Sequence, residues 1–545
     1  MENLRSVLSA HEEKMSRAGL AYESHADILD REFWSAVPES GKRSVLLSHE
    51  AWCIPHRNLE QFLRQLLKQG DHETADAILL NYASCLHNPD REARRRTAIG
   101  LTELAGLYAG EDSRLIEAAI RHAGRQLGRE SDPELQTLTS AAFVRLSQEA
   151  TTHHHYGALE QTLAALENVA QVQPSLAHSV RPRIGVENRL PELIEEALQV
   201  AHVPEALLAV LQRVREPTTL QLAQQLSRCE RREERERVVQ LAKDLGTEAT
   251  AHLSETLRTR PASEAAVTAG LLSRLDSPAL EETLPQRLRG WNRHYHDVVV
   301  RLIAAGGALN RGHVLLKLVD VLDHSVLPMA LDEIGMCGDV TATLPLMRLA
   351  GGELLQSGEP YLRIKAVEAL GRLREPTATP LLRRLVEAKQ VWRWVHPREL
   401  RLVAAQALLH IDPEWAQACL PRSGLPADEL AVAPLDPVPD DPWVRQRRYP
   451  RHSLPRTLAG TANCPRGDSQ LTVKVLSLGG GLAASERPLP PGTEAKVTLH
   501  YGLRHLNANT LVRAMRSHQV GFEISEIDLA ERTKLRRLLT GLRPV

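Results

Sequence analysis

Aromatic side chains are scarce in this chain: four Phe, seven Trp and eight Tyr among 545 residues, or 3%. A large β-sandwich leans on such residues for its core, so the scarcity suits helix pairs packed through Leu and Ala instead. The six cysteines, Cys53, Cys85, Cys229, Cys337, Cys419 and Cys464, include no CxxC pair, which indicates neither a zinc site nor a disulfide framework. No run of about 18 apolar residues occurs, and the opening "MENLRSVLSAHEEKMSRAGL" has no apolar signal core. A cytoplasmic protein without a membrane span is expected. There is no P-loop, no Ser-His-Asp set and no pair of carboxylates with supporting context, so the expectation is a protein that is not an enzyme and needs no cofactor. "HEAWCIPH" places His49 and His56 seven apart, where the helical metalloprotease motif needs four. "HHHY" at 153–156 cannot aim three adjacent histidines into one helical site and reads as an exposed loop.

Charge is present but unevenly spread. The formal net charge is -1, yet from Trp443 onward 17 Lys and Arg face 7 Asp and Glu, leaving 50 against 61 in residues 1–442. The last part of the chain is basic and the rest acidic. Such a module attracts nucleotide, nucleic acid, anionic lipid or its own acidic neighbour, and charge alone does not choose among them.

Residues 1–420 repeat apolar positions at three- and four-residue spacing, broken every 12 to 20 residues by turn signals, as in "LEQFLRQLLKQG" and "LPELIEEALQVA". "ALDEIGMCGDVTATLPLMRL" from Ala330 aligns with "AVEALGRLREPTATPLLRRL" from Ala366 at an offset of 36, matching Gly335 to Gly371 and one "TAT" to the other. A weaker copy, "AAQALLHIDPEWAQACL", begins 38 residues later at Ala404. Two helices per unit at this period resemble HEAT repeats, most clearly over residues 261–420, and the resemblance implies an α-solenoid whose extended face holds a protein partner. "RHYHD" at 293–297 and "WRW" at 392–394 are candidate contact residues on it, or covers for helix-pair edges.

Residues 421–442, "PRSGLPADELAVAPLDPVPDDP", are rich in Pro and Asp and are expected to be a linker with little to bury. Beyond them, alternating runs such as "LTVKVLSL", "AKVTLHYG" and "VGFEISEI" predict a small antiparallel β-barrel over 443–545, closed by a helix at "LAERTKLRRLLTGL".

Two elements of this barrel stand in order to act together. "RRYPR" carries Arg447, Arg448 and Arg451; Pro450 disfavours helix at Tyr449, and in an extended chain Arg447 and Arg451 face one way. Guanidinium groups grip phosphate and stack on bases. "VLSLGGGL" then offers the Ser477 hydroxyl and a flexible Gly479–Gly481 run that admits a ligand to the backbone. A tight hairpin needs the same glycines.

The ordered combination of RxxxR at Arg447 and Arg451, SxxG at Ser477 and Gly480, "PLPPGTEAKVTL" from Pro488 and "VGFEI" from Val520 resembles the PilZ domain, the bacterial cyclic di-GMP receptor module. The resemblance implies cyclic di-GMP as ligand, held by Arg447, Arg448, Arg451, Ser477, Gly479 and Gly480. Val475 stands where that pattern has Asp or Asn, removing an acceptor for the guanine edge. Two readings of the arginines stand open: a phosphodinucleotide clamp, and a basic patch facing solvent or the solenoid. The corresponding functions are a cyclic di-GMP-responsive adaptor, and a ligand-free scaffold whose PilZ-like domain binds protein. Nucleic-acid binding has only the charge of the last domain behind it.

Overall fold

The computed structural model describes residues 25–110, 113–229, 231–305, 310–353, 360–436, 448–465 and 467–544. By internal packing the chain divides into residues 1–218 and 219–545.

The first unit is helical throughout its described length. Its helices stack by neighbours and next neighbours: Ser113–Arg129 packs on both Pro133–Thr152 and Tyr156–Val172. Asp132 starts the second of these by accepting from the Glu134 and Leu135 amides, with Pro133 preset for the first turn. His153, His154 and His155 form the turn that follows, as expected for "HHHY". Among the described residues no group of His, Cys, Asp or Glu is placed to hold a metal ion.

One histidine in this unit gives it a pH dependence. His122 is half-buried with Nδ1 3.0 Å from Nε2 of His87. Burial, aided by His87, Arg125 and Arg121, lowers its pKa from 6.5 to about 4. The unfolded chain therefore takes up a proton that the folded unit refuses, and stability falls as pH drops from about 6.5 to 4. With screening at this partly exposed site the loss is expected to be about 1 kcal/mol. His122→Gln should flatten urea-unfolding stability across that window; an unchanged slope would show that His122 does not cause it.

The second unit begins with helix pairs. Its helices include α1 (Ala262–Leu275), α2 (Arg293–Ala305), α3 (Leu327–Gly335), α4 (Pro360–Leu373) and α5 (Arg398–Ile411). α1 packs on α2, α2 on α3, α3 on α4 and α4 on α5, the stacking of a solenoid. The repeat seen in sequence has a physical cause here. A Cβ on Gly335 would lie 2.8 Å from the Ala369 Cβ, and one on Gly371 would lie 2.9 Å from the Ala407 Cβ. Stacked inner helices thus meet backbone to backbone at one recurring small residue. Both "TAT" segments likewise run from a 3₁₀ turn into the second helix of the pair, at Val340–Ala342 and Pro376–Ala378.

The expected linker behaves differently from its composition. Pro421 lies inside the helix Pro413–Ser423, and Leu425, Leu430, Val432, Ala433 and Leu435 are buried. Gln406 on α5 donates to the carbonyls of Leu430 (2.6 Å) and Ala433 (3.0 Å), pinning the short helix Ala427–Leu430 and the turn after it against the helices. The apolar residues scattered between the prolines supply what the segment buries. Residues 437–442 lie outside the described residues, and one compact unit spans residues 219–545.

The barrel has six antiparallel strands: β1 (His452–Asn463), β2 (Ser469–Ser477), β3 (Gly480–Ser485), β4 (Glu494–Tyr501), β5 (Arg504–Arg516) and β6 (Gln519–Glu526). They close in the order β1-β2-β3-β6-β5-β4, so no edge is left unpaired. Alternation sets the inward face: Ser469, Leu471 and Val473 of β2 are buried while Gln470, Thr472 and Lys474 are exposed. Helix α6 (Leu529–Leu539), capped by the Asp528 side chain, follows. The barrel core, with Val473, Val497, Val512 and Phe522, continues into Tyr361 of α4 and into Val432 and Ala433. Barrel and helices share one apolar core within this unit.

Candidate ligand cleft

The RRYPR segment is where the barrel meets the helices. Arg447 lies outside the described residues. Arg448 is directed into carboxylates: its guanidinium lies 2.5 Å from Glu333, 2.8 Å from Glu523 on β6 and 3.4 Å from Asp332. Burial works against its charge, but Glu333, Asp332 and Glu523 outweigh it and raise its pKa. The charge expected to face a ligand is therefore engaged within the protein, and the Arg448 carbonyl accepts from Arg372 (2.7 Å).

Tyr449 is buried beside it. Its hydroxyl accepts from the Lys365 ammonium (2.6 Å) and donates to Glu368. Lys365, itself 2% exposed, donates to Asp332 (2.7 Å). From the other side α6 inserts Arg532 and Arg536, both fully buried, onto Glu368 (2.6 Å) and Glu399 (3.2 Å). Burial pushes the Asp332 and Glu368 carboxyls up, yet Lys365 and Arg448 for the first, and Arg532 and Lys365 for the second, leave both below their ordinary range. Five cations (Lys365, Arg372, Arg448, Arg532, Arg536) meet five anions (Asp332, Glu333, Glu368, Glu399, Glu523) across this joint. Buried ions persist only when paired in this manner.

Arg451 is placed otherwise. Register pairs His452 with Leu476 and Ser453 with Val475, which brings Arg451 alongside the Ser477 end of β2. Arg451 is exposed and, among the described residues, has neither hydrogen bond nor ion pair. The motif halves separated by some twenty-five residues in sequence thus meet at one barrel end.

The β2–β3 hairpin explains its own glycines. Ser477 Oγ donates to the Gly480 carbonyl (3.1 Å) and accepts from the Gly479 amide (3.4 Å), tying the turn to itself. Gly480 has φ +151°, and a Cβ there would fall 2.1 Å from the Phe522 carbonyl oxygen. A Cβ on Gly479 would lie 2.6 Å from the Tyr449 ring. These positions let β6 and Tyr449 approach the hairpin backbone, a fold requirement that holds with or without ligand. Val475 is half-buried in β2, paired with Leu482, and presents no polar side-chain atom.

Arg451, Ser477 and Gly479–Gly481 line a cleft of about 840 Å³ whose other walls are Arg448, Tyr449 and helices of the same unit. That volume is within the ~300–1,000 Å³ of small-molecule and cofactor sites. Seven cationic side chains line it (Arg235, Arg301, Arg311, Lys365, Arg448, Arg451, Arg513) against three carboxylates (Asp332, Glu333, Glu523). Lys365, Arg448, Arg513 and Arg301 already meet carboxylates, and exposed Arg451 is the lining cation whose charge is offered to an anion.

Sequence reasoning missed the acids and Lys365 of the joint, although Asp332 and Glu368 occupy equivalent repeat positions, 36 apart. It also missed Arg513, whose guanidinium bridges Asp297 (2.6 Å) and Glu523 (2.5 Å). Within "RHYHD", His296 and Asp297 are buried, His296 bonding the Leu288 carbonyl (2.9 Å). In "WRW", Arg401 (3.3 Å) and Lys389 (4.0 Å) both lie over the centre of the Trp394 ring, while Trp392 projects 92% exposed.

No curated protein matches the chain. Among solved structures, an engineered protein is similar at 13% identity over 70% of this chain and 98% of its own, with a TM-score of 0.20. The karyopherin Kap121p bound to the extreme C-terminus of the protein phosphatase Cdc14p is similar at 12% identity over 73% of this chain and 49% of its own, with a TM-score of 0.21. A Tumor Overexpressed Gene domain array that recruits tubulin is similar at 10% identity over 70% and 96%, with a TM-score of 0.16. No helix of the described residues is long and apolar enough to cross a membrane. Residues 445–541 match the family model of the PilZ domain, and they coincide with the closed barrel, its terminal helix and the RRYPR segment, so this chain carries a PilZ domain behind a long helical region.

Proposed function

We propose that the chain is a cyclic di-GMP-responsive adaptor, in which the PilZ domain takes the dinucleotide and the helical solenoid holds a protein partner. One observation carries the reading: exposed Arg451 stands beside Ser477 and the Gly479–Gly481 hairpin on a cleft of about 840 Å³ with a cationic excess. A dianionic, flat-based ligand suits that chemistry, since guanidinium groups both pair with phosphate and stack on purine. The reading assigns binding and no catalysis. It makes the ligand site and the joint continuous, because Arg448 and Tyr449 lie three and two residues before Arg451 and are already fixed to α3 and α4. Ligand held by Arg451 thereby acts on the same segment that joins barrel to helices, the differential contact a switch requires.

Calorimetric titration of the full chain with cyclic di-GMP tests it. Saturable binding is expected, weakened at least about tenfold by Arg451→Ala, the loss of one charge-assisted contact. Absence of heat and of any melting shift at high ligand concentration would contradict it. Val475 favours a second reading, a ligand-free scaffold in which the PilZ domain serves protein contacts, and that negative outcome would select it.

A further inference from the structure

Helix α2 has two faces. His296, Val299, Val300 and Ile303 are buried in the helical stack. Val298, Arg301, Leu302 and Ala305, spaced i, i+3, i+4 and i+7, instead line the cleft that Arg451 and the Ser477–Gly481 hairpin close from the barrel side. A second half-exposed stripe on a packed solenoid helix needs something to cover it, and here it faces a built cavity.

Its charge is held ready. Arg301 Nη2 lies 2.6 Å from Asp297 Oδ2, and its side chain is 50% exposed. Asp297 is shared with Arg513 of the barrel, which contacts the other oxygen at 2.6 Å. One buried carboxylate thus orients two guanidinium groups, one from each side of the cleft; Arg513 is also paired with Glu523 (2.5 Å), so Arg301 is the one that keeps a single partner and an open side. Neighbouring Val298 and Leu302 give an apolar surface against which a flat base can lie, beside the Arg301 guanidinium on the same cleft wall.

We infer that the cyclic dinucleotide site is composite: helix α2 of the solenoid supplies its second wall, with Arg301 contacting a ligand phosphate and Val298 and Leu302 packing on a base. This rests on the cyclic di-GMP reading and adds to it that the solenoid itself takes part in recognition. Nothing in RxxxR or in the glycine hairpin supplies these groups. The ligand is then gripped by both parts at once, so binding in the barrel is felt directly by the helices that stack on α2.

The test is calorimetric titration of the full chain and four variants with cyclic di-GMP, three on α2 and Arg451→Ala. Arg301→Ala is expected to weaken binding about tenfold, with Arg301→Lys recovering part of the loss by keeping the charge. Val298→Trp, which narrows the cleft from the solenoid side and alters no charge, is expected to weaken binding at least tenfold. Circular-dichroism melting of each variant should match the parent, since both side chains are partly exposed. If the parent binds, Arg451→Ala binds at least about tenfold more weakly, and the α2 variants bind like the parent, the composite site is overturned while the adaptor reading stands. If the parent itself does not bind, both fall.

Discussion

Replacing Lys365 by Met is expected to cost the second unit about 3–5 kcal/mol, the range for removing one member of a buried ion cluster. Lys365 is 2% exposed and satisfies Asp332 (2.7 Å), Glu368 (3.6 Å) and the Tyr449 hydroxyl (2.6 Å) at once. Methionine fills similar space but leaves the buried Asp332 and Glu368 with fewer cations. Burial opposes the lysine charge, yet Asp332, Tyr361, Tyr449 and Glu368 together hold its pKa well above the ordinary value, so the ammonium is charged at every working pH. Arg64→Ala is the internal control, because its pair with Glu60 (2.8 Å) is exposed and one helical turn apart, worth well under 1 kcal/mol. Urea unfolding of the full chain, resolved by unit, measures both. A Lys365→Met loss no larger than that of Arg64→Ala would show that the cluster does not hold the joint.

Gly480→Ala is expected to be of similar size, about 3 kcal/mol or more, and to fall on the barrel. The added Cβ meets a backbone carbonyl oxygen at 2.1 Å, an atom that cannot move without breaking the β3–β6 ladder, and the residue's φ of +151° is itself unfavourable for alanine. Gly492→Ala separates the two contributions: φ is +87° but nothing lies within 4 Å of the new Cβ, so about 1 kcal/mol of backbone cost is expected alone. Equal thermal shifts for the two variants would mean that the close approach of Phe522 to Gly480 contributes nothing.

Much of the fold was legible because its causes are local or periodic. The 36-residue repeat is visible since Gly335 and Gly371 must stay small where stacked helices touch Ala369 and Ala407. The barrel is visible since alternation in "LTVKVLSL" is what a one-sided strand needs. The joint was harder to read, for two physical reasons. A guanidinium offers the same fork to a carboxylate as to a phosphate, so nothing local to RRYPR tells that Arg448 meets Glu333 and Glu523. The acids it meets are far away in sequence and are paired only by the fold.

Two signals were nevertheless present. Asp332 and Glu368 sit at the same repeat position on the inner helix, among residues that otherwise pack, and the third copy has the buried Gln406 there. In α6, Arg532, Leu535, Arg536 and Leu539 form a single i, i+3, i+4, i+7 stripe, so its arginines were bound to face whatever its leucines face. A charged residue on an apolar stripe, matched to acids at repeat-equivalent positions, is the pattern that marks a buried ionic joint. The linker misled for the opposite reason: its proline and aspartate content masked Leu425, Leu430, Val432 and Leu435, which dock against the helices.

If, as proposed, the cleft bounded by the barrel hairpin and by helix α2 receives cyclic di-GMP, the ligand covers both walls at once. Hydrogen exchange of the full chain with and without cyclic di-GMP tests it most directly. The expected result is slowed exchange at residues 451–454, 477–481 and 298–305 together, on one concentration dependence. Unchanged exchange at all three segments under saturating ligand would contradict it.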